Sequence, residues 1–177
     1  MRWIFSGVLA SASLVAFAAD TAPVIEFPQL APEVVALVRT NGSKGLTERI
    51  AIVTNAPLSV LEKVQGLSLM FSGAEREGQR RIAHVVVRLA DDGAFPVVQR
   101  LLMEPGWHPQ VHSVFMTGTL KRSNAVKMPV LLELARTKEH PLREEARQLL
   151  EHILQADHGS DWPAWQRTLE AWLKTHP

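Results

Sequence analysis

Histidine is the residue type in this sequence that is best suited to metal binding or proton transfer, because the chain has no cysteine. His108 and His112 are four residues apart, and His140 lies in the next segment of similar composition. Zinc needs three or four such ligands that converge in space. Pro109 follows His108 and places it outside a helix, so the four-residue spacing does not bring it to the same face as His112. We expect structural or solvated histidines; a metal-binding accessory protein or small periplasmic enzyme using His108, His112 and His140 is the alternative.

Other polar patterns carry weaker signals. The chain has no dinucleotide-binding glycine motif, no P-loop and no Gly-x-Ser-x-Gly nucleophile motif. Residues 41–45 (NGSKG) have the letters of a P-loop but not its spacing. Glu144 and Glu145 are adjacent, so on a helix they point in different directions and form a solvated face. The basic residues at 80–81 and Arg88 could bind an anion, but acidic residues lie beside them in the sequence and would reduce that attraction. We predict no catalytic residue and no cofactor.

Trp107 is the residue that best suits a contact with another protein. It lies in a Glu-Pro-Gly loop, either as a plug over the core or as an exposed contact residue, and Trp is enriched at binding hot spots. We place Arg100, Glu133, Arg136 and Lys138 in or beside the second helices of helix pairs, on a concave side. The candidate partner contacts are Trp107, His108, Arg100, Arg136 and Lys138.

The first eighteen residues have the pattern of a secretory signal. Arg2 is the only charge among them, residues 3–17 are almost entirely apolar, and Ala16-Phe17-Ala18 is a small-residue cleavage pattern. We predict cleavage after Ala18 and export to the periplasm or the medium; an uncleaved anchor is the alternative. No other segment has the roughly 20 apolar residues of a transmembrane helix, so we expect no stable membrane span after cleavage.

Length and charge narrow the class of protein further. The 177 residues suffice for one domain. Of 19 Lys and Arg residues only Arg2 lies in the predicted signal, so the mature chain carries 18 basic and 18 acidic residues. This balance argues against a nucleic-acid partner, because such binding relies on clustered excess positive charge. Without cysteine there is no disulfide, and packing alone must stabilise an exported domain.

The rest of the chain has the pattern of a series of amphipathic helices. Residues 50–53 (IAIV) and 85–87 (VVV) also have strand propensity, because they are rich in β-branched residues. We predict helices there, since the flanking residues keep helical spacing. Prolines mark the expected helix starts, at Pro32, Pro57, Pro96, Pro109, Pro129, Pro141 and Pro163.

The segments 91–122 and 123–153 form an internal repeat. His108-Pro109 recurs 32 residues later as His140-Pro141, and Pro96 recurs 33 residues later as Pro129. Each copy is predicted as a helix, a polar loop, a His-Pro pair and a second helix. A final helix carries three indoles on one face, at Trp162, Trp165 and Trp172, which would seal the end of a stack, as terminal repeats must.

At these positions the chain resembles the HEAT-like repeat family of exported bacterial proteins. The resemblance covers about residues 57–157. It rests on the Pro-x-x-Leu entry at 129–132 and on a second helix with Leu142-Arg143, Ala146 and Leu149-Leu150. Residues 109–122 depart from the pattern, with Gln110-Val111-His112 and Gly118 where stronger core residues are expected. The ending at 161–165 (DWPAW) is also similar to that family.

The resemblance implies an all-α fold, a short right-handed α-solenoid of antiparallel helix pairs, with protein–protein interaction and no reaction. The expected organisation is a signal peptide at 1–18, an extended lead-in at 19–31 and a helical repeat domain at 32–177. We expect a monomer that binds an unknown protein partner. A purely structural part of a larger assembly is a further alternative.

Overall fold

The computed structural model describes residues 31–71 and 73–177, and over these residues the chain is all-α, with nine helices and no strand. The predicted signal sequence and all of the lead-in except Ala31 lie outside the described residues. None of the described helices is long and apolar enough to cross a membrane. The helices are α1 (Pro32–Thr40), α2 (Leu46–Asn55), α3 (Val60–Phe71), α4 (Arg76–Leu89), α5 (Phe95–Met103), α6 (Pro109–Leu120), α7 (Asn124–Arg136), α8 (Arg143–Leu154) and α9 (Trp162–Leu173).

The two stretches with strand propensity are helical, as predicted. Residues 50–53 lie in α2 and residues 85–87 lie in α4. Val53 and Val86 are buried in these helices. Burial of a large aliphatic side chain stabilises the fold by about 1.5–3 kcal/mol, which outweighs a propensity difference of a few tenths of a kcal/mol per residue.

Three of the proline-marked helix starts are wrong. Pro57 lies three residues before α3, and Asn55 ends α2 instead of opening the next helix. Ser59 caps α3: its backbone N–H donates to Glu62 Oε2 at 2.7 Å, and its hydroxyl accepts from the Glu62 N–H at 3.3 Å. This reciprocal capping box satisfies donors that a helix start leaves unpaired, and it sets the boundary in place of the proline.

Pro129 and Pro141 correct the predicted repeat register. Pro129 lies inside α7, which begins five residues earlier at Asn124, and Pro141 lies two residues before α8. Pro96 does lie in the first turn of α5, as predicted. The Pro96–Pro129 overlay therefore pairs a helix start with a helix interior, and the Pro-x-x-Leu segment at 129–132 is not a helix entry.

The helices form two groups that alternate along the chain. We call α1, α3, α5, α7 and α9 the first layer, because each packs against the next member: α1 on α3, α3 on α5, α5 on α7 and α7 on α9. The second layer consists of α2, α4, α6 and α8, and each of these packs against neighbouring first-layer helices. One hydrophobic core, from Val38 in α1 to Leu169 in α9, runs between them.

The final helix covers the end of this core. Trp165 is fully buried, and its indole N–H donates to the Gly159 carbonyl oxygen at 3.2 Å. Trp162 and Trp172 are half-buried and pack against the same core. Because α9 contacts both α7 and α8, the three indoles cover apolar surface that the preceding helix pair would otherwise expose.

Within residues 109–122, Val111 and His112 are buried, and Gly118 has a packing role of its own. A Cβ atom at this position would lie 2.3 Å from Val87 Cγ1, so the Val87 side chain or one of the two helices would have to move. The missing side chain thus lets α6 approach α4 closely. Gly118 is a spacing residue in the second layer and not a weakened core position.

Candidate binding groove between helices α3 and α5

A groove of about 290 Å³ lies between the first-layer helices α3 and α5. Helix α3 contributes one wall, α5 contributes the other, and the loop that follows α5 completes the lining. Its volume is close to the lower end of ligand-binding clefts. The lining residues are Gln65, Ser68, Leu69, Val97, Arg100, Leu101, Glu104 and Trp107.

Leu69 makes the α3 wall unusually apolar for a surface. Its relative exposure is 38%, and among the described residues only Val60 and Leu120 are large hydrophobics of similar exposure. On α5, Val97 is buried and Leu101 is half-buried beside it. Water therefore contacts an aliphatic surface in this groove, and a ligand with apolar side chains would displace that water favourably.

Gln65 is the most informative polar residue of the groove. Its side chain is 4% exposed and lines the groove beside Leu69. A primary amide offers both donors and an acceptor, which is the complement of a peptide backbone. Gln65 thus places a primary amide in the lining of an otherwise apolar wall.

Trp107 combines the two roles that the sequence left open. It is half-buried and packs edge-on against Phe71, with ring centroids 4.9 Å apart and an interplanar angle of 76°. Phe71 in turn contacts Phe115 of the central core. The same indole lines the groove, and its buried Nε1–H has no hydrogen-bond partner in the described part of the chain. Trp107 is both a cover over the core and a groove wall.

The structure brings together only two of the five predicted contact residues. Arg100 joins Trp107 in the groove lining, whereas His108, Arg136 and Lys138 do not line it. Arg100 and Arg136 lie in the first-layer helices α5 and α7, and Lys138 lies in the loop after α7. In the packed pairs α5–α6 and α7–α8 these are the first helices, and not the second helices on which we placed Arg100 and Arg136.

Glu133, which we also placed on the contact face, links two neighbouring first-layer helices instead. Its carboxylate accepts a hydrogen bond from the Gln99 side-chain amide, so it ties α7 to α5. Arg136 and Lys138 are exposed. They are surface cations outside the groove, and we use them below as matched controls.

His112 and His140 are close together, and three of their four ring nitrogens bind backbone, whereas His112 Nδ1 is buried with no hydrogen-bond partner among the described residues. The two rings meet edge to face with centroids 5.1 Å apart. His112 Nε2–H donates to the Glu104 carbonyl oxygen at 2.9 Å, and His140 Nε2–H donates to the Leu102 carbonyl oxygen at 2.8 Å. Both bonds satisfy carbonyl groups at the end of α5 that the helix leaves unpaired.

The His-Pro pairs share a local motif, although they do not share a helix start. His108 Nδ1 accepts from the Gln110 N–H at 3.3 Å, and His140 Nδ1 accepts from the Leu142 N–H at 3.1 Å. His108 is the N-cap of α6. In both His-Pro pairs the imidazole accepts a hydrogen bond from the backbone N–H two residues further along the chain. The two histidines therefore share a structural role.

The three histidines do not form a metal centre in this arrangement. Nε2 of His112 and of His140 each faces a carbonyl oxygen, and Nδ1 of His108 faces a backbone N–H. Over residues 31–71 and 73–177 no group of three or more His, Asp or Glu side chains is placed to hold a metal ion. Burial lowers the pKa of His112 below its ordinary value, an effect that its hydrogen bond to Glu104 opposes.

The sequence interpretation predicted Arg100 and Trp107 but missed the other six lining residues, among them Gln65 and Leu69. A signal was present: Leu61, Gln65 and Leu69 recur every four residues and share one face of α3. A polar residue between two leucines on such a stripe marks either a buried hydrogen bond or a binding position. No family model, curated protein or solved structure matches this chain, so no relative supplies a function for the groove.

Proposed function

We propose that this protein is an exported, non-catalytic helical-repeat protein that binds another protein, and that the α3–α5 groove takes an extended apolar segment of that partner. The observation that carries the proposal is the buried Trp107 Nε1–H, which has no hydrogen-bond partner in the described part of the chain, set beside Leu69 and Gln65 in an apolar groove. An extended backbone supplies a carbonyl oxygen that can accept from the indole, and both a carbonyl oxygen and an N–H that can pair with the Gln65 amide.

The alternating layers support a short right-handed α-solenoid of antiparallel helix pairs. Successive first-layer helices pack against each other, and α3 with α4, α5 with α6 and α7 with α8 form consecutive packed pairs. Stacked pairs of this kind bury a continuous core and need a terminal unit that covers the last pair. Helix α9 fits that role, and the resemblance to HEAT-like repeats agrees with the proposal.

The remaining lining fits recognition of a peptide and not a reaction. The Ser68 hydroxyl donates to the Gln65 backbone carbonyl at 2.7 Å, so it is engaged in the helix and is not paired with a base. Arg100 and Glu104 place one cation and one anion in the lining. These charges orient a bound segment, while apolar contact with Leu69, Leu101 and Trp107 supplies affinity.

Peptide selection against the purified mature protein tests the binding role. A random peptide library should yield apolar, extended sequences that bind the wild-type protein, and Leu69→Glu should weaken their binding at least tenfold. Leu120→Glu is the matched control, since Leu120 has the same 38% exposure and lies outside the groove. Equal effects of the two substitutions, or no apolar peptide among those selected, would contradict the proposal.

Two further measurements test the other parts of the proposal. N-terminal sequencing of the protein recovered from the periplasm or medium should begin at Ala19. An intact N-terminus in the cytoplasmic fraction would overturn export. Substrate turnover in a broad hydrolase screen that survives repurification, or stoichiometric zinc by elemental analysis, would overturn the non-catalytic role in favour of the histidine-based alternative.

A further inference from the structure

A second groove, of about 560 Å³, lies on the second layer between α4 and α6. It has no residue in common with the α3–α5 groove. The close approach of the two helices at Gly118 and Val87 forms its floor. Its lining residues are His84, Val87, Arg88, Ser113, Val114, Thr117, Gly118, Lys121 and Arg122.

The charge of this lining is entirely positive. Arg88, Lys121 and Arg122 contribute three cations, and no acidic residue lines the groove. Arg88 and Lys121 are exposed and form no ion pair with other described residues. The full sequence has a net charge of only +1, so this groove is a local excess of positive charge and gives a local field that favours anions.

Arg122 is the fixed cation of the groove. Its Nη2–H donates to the Val87 carbonyl oxygen at 2.9 Å, and its guanidinium lies over the Phe95 ring, 5.1 Å from the centroid. Asp92 is the neighbouring anion, with Oδ1 3.8 Å from Arg122 Nη1. These contacts immobilise Arg122, which leaves Arg88 and Lys121 as the cations that can reach a ligand.

The groove also has a direction and an apolar strip. Ser113, Thr117 and Lys121 follow each other at four-residue intervals along α6, a row roughly 12 Å long at 1.5 Å per residue. His84 and Arg88 stand one turn apart on α4. Between the rows lie aliphatic side chains and the bare Gly118 backbone. The groove thus offers hydroxyls and cations along its rims and aliphatic surface along its floor.

We propose that the α4–α6 groove is a second docking site, which takes an extended acidic segment of a polypeptide. Carboxylates would pair with Arg88 and Lys121, backbone carbonyls would accept from Ser113 and Thr117, and aliphatic side chains would cover the floor. A polynucleotide fits this lining less well, since no aromatic side chain is available to stack a base. The inference is independent of the function proposed for the α3–α5 groove.

The probe is a fluorescein-labelled peptide of about eight residues that alternates Glu and Val, with a Lys–Val peptide as its charge-reversed control. Fluorescence anisotropy at low salt should show binding of the acidic peptide alone. The Arg88→Glu/Lys121→Glu double variant should weaken that binding at least tenfold. Thr117→Val, which removes a hydroxyl and no charge, should weaken it severalfold.

The matched control is Arg136→Glu/Lys138→Glu, which makes the same change in charge outside the groove. This control should change binding of the acidic peptide less than twofold. If it weakens binding as much as the groove variant does, the peptide is held by general charge attraction and the proposed site is wrong. Inorganic polyphosphate serves as the second probe. If it binds in an Arg88- and Lys121-dependent manner and the acidic peptide does not bind, the polypeptide proposal is wrong. Circular dichroism confirms that each variant is folded.

Discussion

His112 and His140 meet edge to face inside the protein, and each donates its Nε2–H to a backbone carbonyl oxygen at the end of α5. The two acceptors are Leu102, in the last turn of α5, and Glu104, which directly follows the helix. Both precede Trp107, and the loop that carries Glu104 and Trp107 forms part of the α3–α5 groove. A buried pair of imidazoles thus holds the polypeptide that carries a groove wall. The first two predictions concern this pair.

Acidification should destabilise the protein through His112. Burial lowers its pKa below the ordinary value of 6.5, so the folded state binds fewer protons than the unfolded state below that pH. The stability that neutral His112 contributes is therefore fully present above about pH 6.5. It is lost as the pH falls from there toward the lowered pKa. Urea unfolding at several pH values should show this loss. His112→Gln should have a smaller loss over the same window; an unchanged pH dependence would contradict the assignment.

His140→Ala should be much more damaging than His108→Ala, although both residues precede proline. His140 is 3% exposed, and its removal leaves the Leu102 carbonyl and the Leu142 N–H without their partner. We expect a loss of about 2–4 kcal/mol in the free energy of unfolding. His108 is half-buried and makes only a capping bond, so its substitution should cost about 1 kcal/mol. Chemical unfolding measures both, and equal losses would contradict this prediction.

Gly118→Ala should destabilise the contact between α4 and α6. The new methyl group would overlap the Val87 side chain, and overpacking of this kind costs about 1–3 kcal/mol. Val87→Ala in the same chain should restore much of the loss, and a double-mutant cycle measures this coupling. Gly73→Ala, where the added Cβ meets no atom within 4 Å, is the control and should change stability by less than about 0.5 kcal/mol.

Gln65→Leu should make the protein more stable and its groove less able to bind. Leucine has nearly the same size but no polar atoms to desolvate, so we expect a gain of about 1 kcal/mol in the free energy of unfolding. Gln99→Leu is the matched control: its amide donates to Glu133, and its replacement should destabilise. Thermal unfolding separates the two. A destabilised Gln65→Leu variant would mean that the amide is satisfied in the folded protein.

Trp165→Ala should cost about 3–5 kcal/mol, because the side chain is fully buried and its loss leaves a large cavity. Trp172→Ala should cost much less. The Trp172 ring is half-buried and stacks on His176 with centroids 4.3 Å apart, at the exposed end of the chain. Near-ultraviolet circular dichroism during thermal unfolding follows both variants. A similar loss for the two would show that α9 does not seal the core through Trp165.

The helical periodicity was sufficient to predict the fold class. Val53 and Val86 occupy the inward positions that their spacing indicates, and their strand propensity did not matter once they were buried. Helix starts were less predictable, because proline fits both a first turn, as at Pro96, and a helix interior, as at Pro129. The capping bond between Ser59 and Glu62 decides one boundary that Pro57 does not.

The two grooves were not predictable from the sequence. Each depends on the distance between helices that are not adjacent in the chain, such as the approach of α6 to α4 that Gly118 allows. Arg88 is recognisable as a basic residue, but nothing local places it opposite Lys121. The burial of His112 and His140 likewise depends on where the end of α5 lies, which no spacing within a single helix reveals.

Several side chains form hydrogen bonds with residues of the preceding helix pair or its loop. His140 bonds to Leu102, Arg122 to Val87 and Ser123 to Asp92, over sequence separations of 38, 35 and 31 residues. Each bond fastens a loop or helix end to the preceding hairpin, independently of the shared core. The packed helix pairs are therefore coupled, and we expect them to unfold as one cooperative unit. Amide protons in α5 and in α7 should then exchange with solvent through a common opening event.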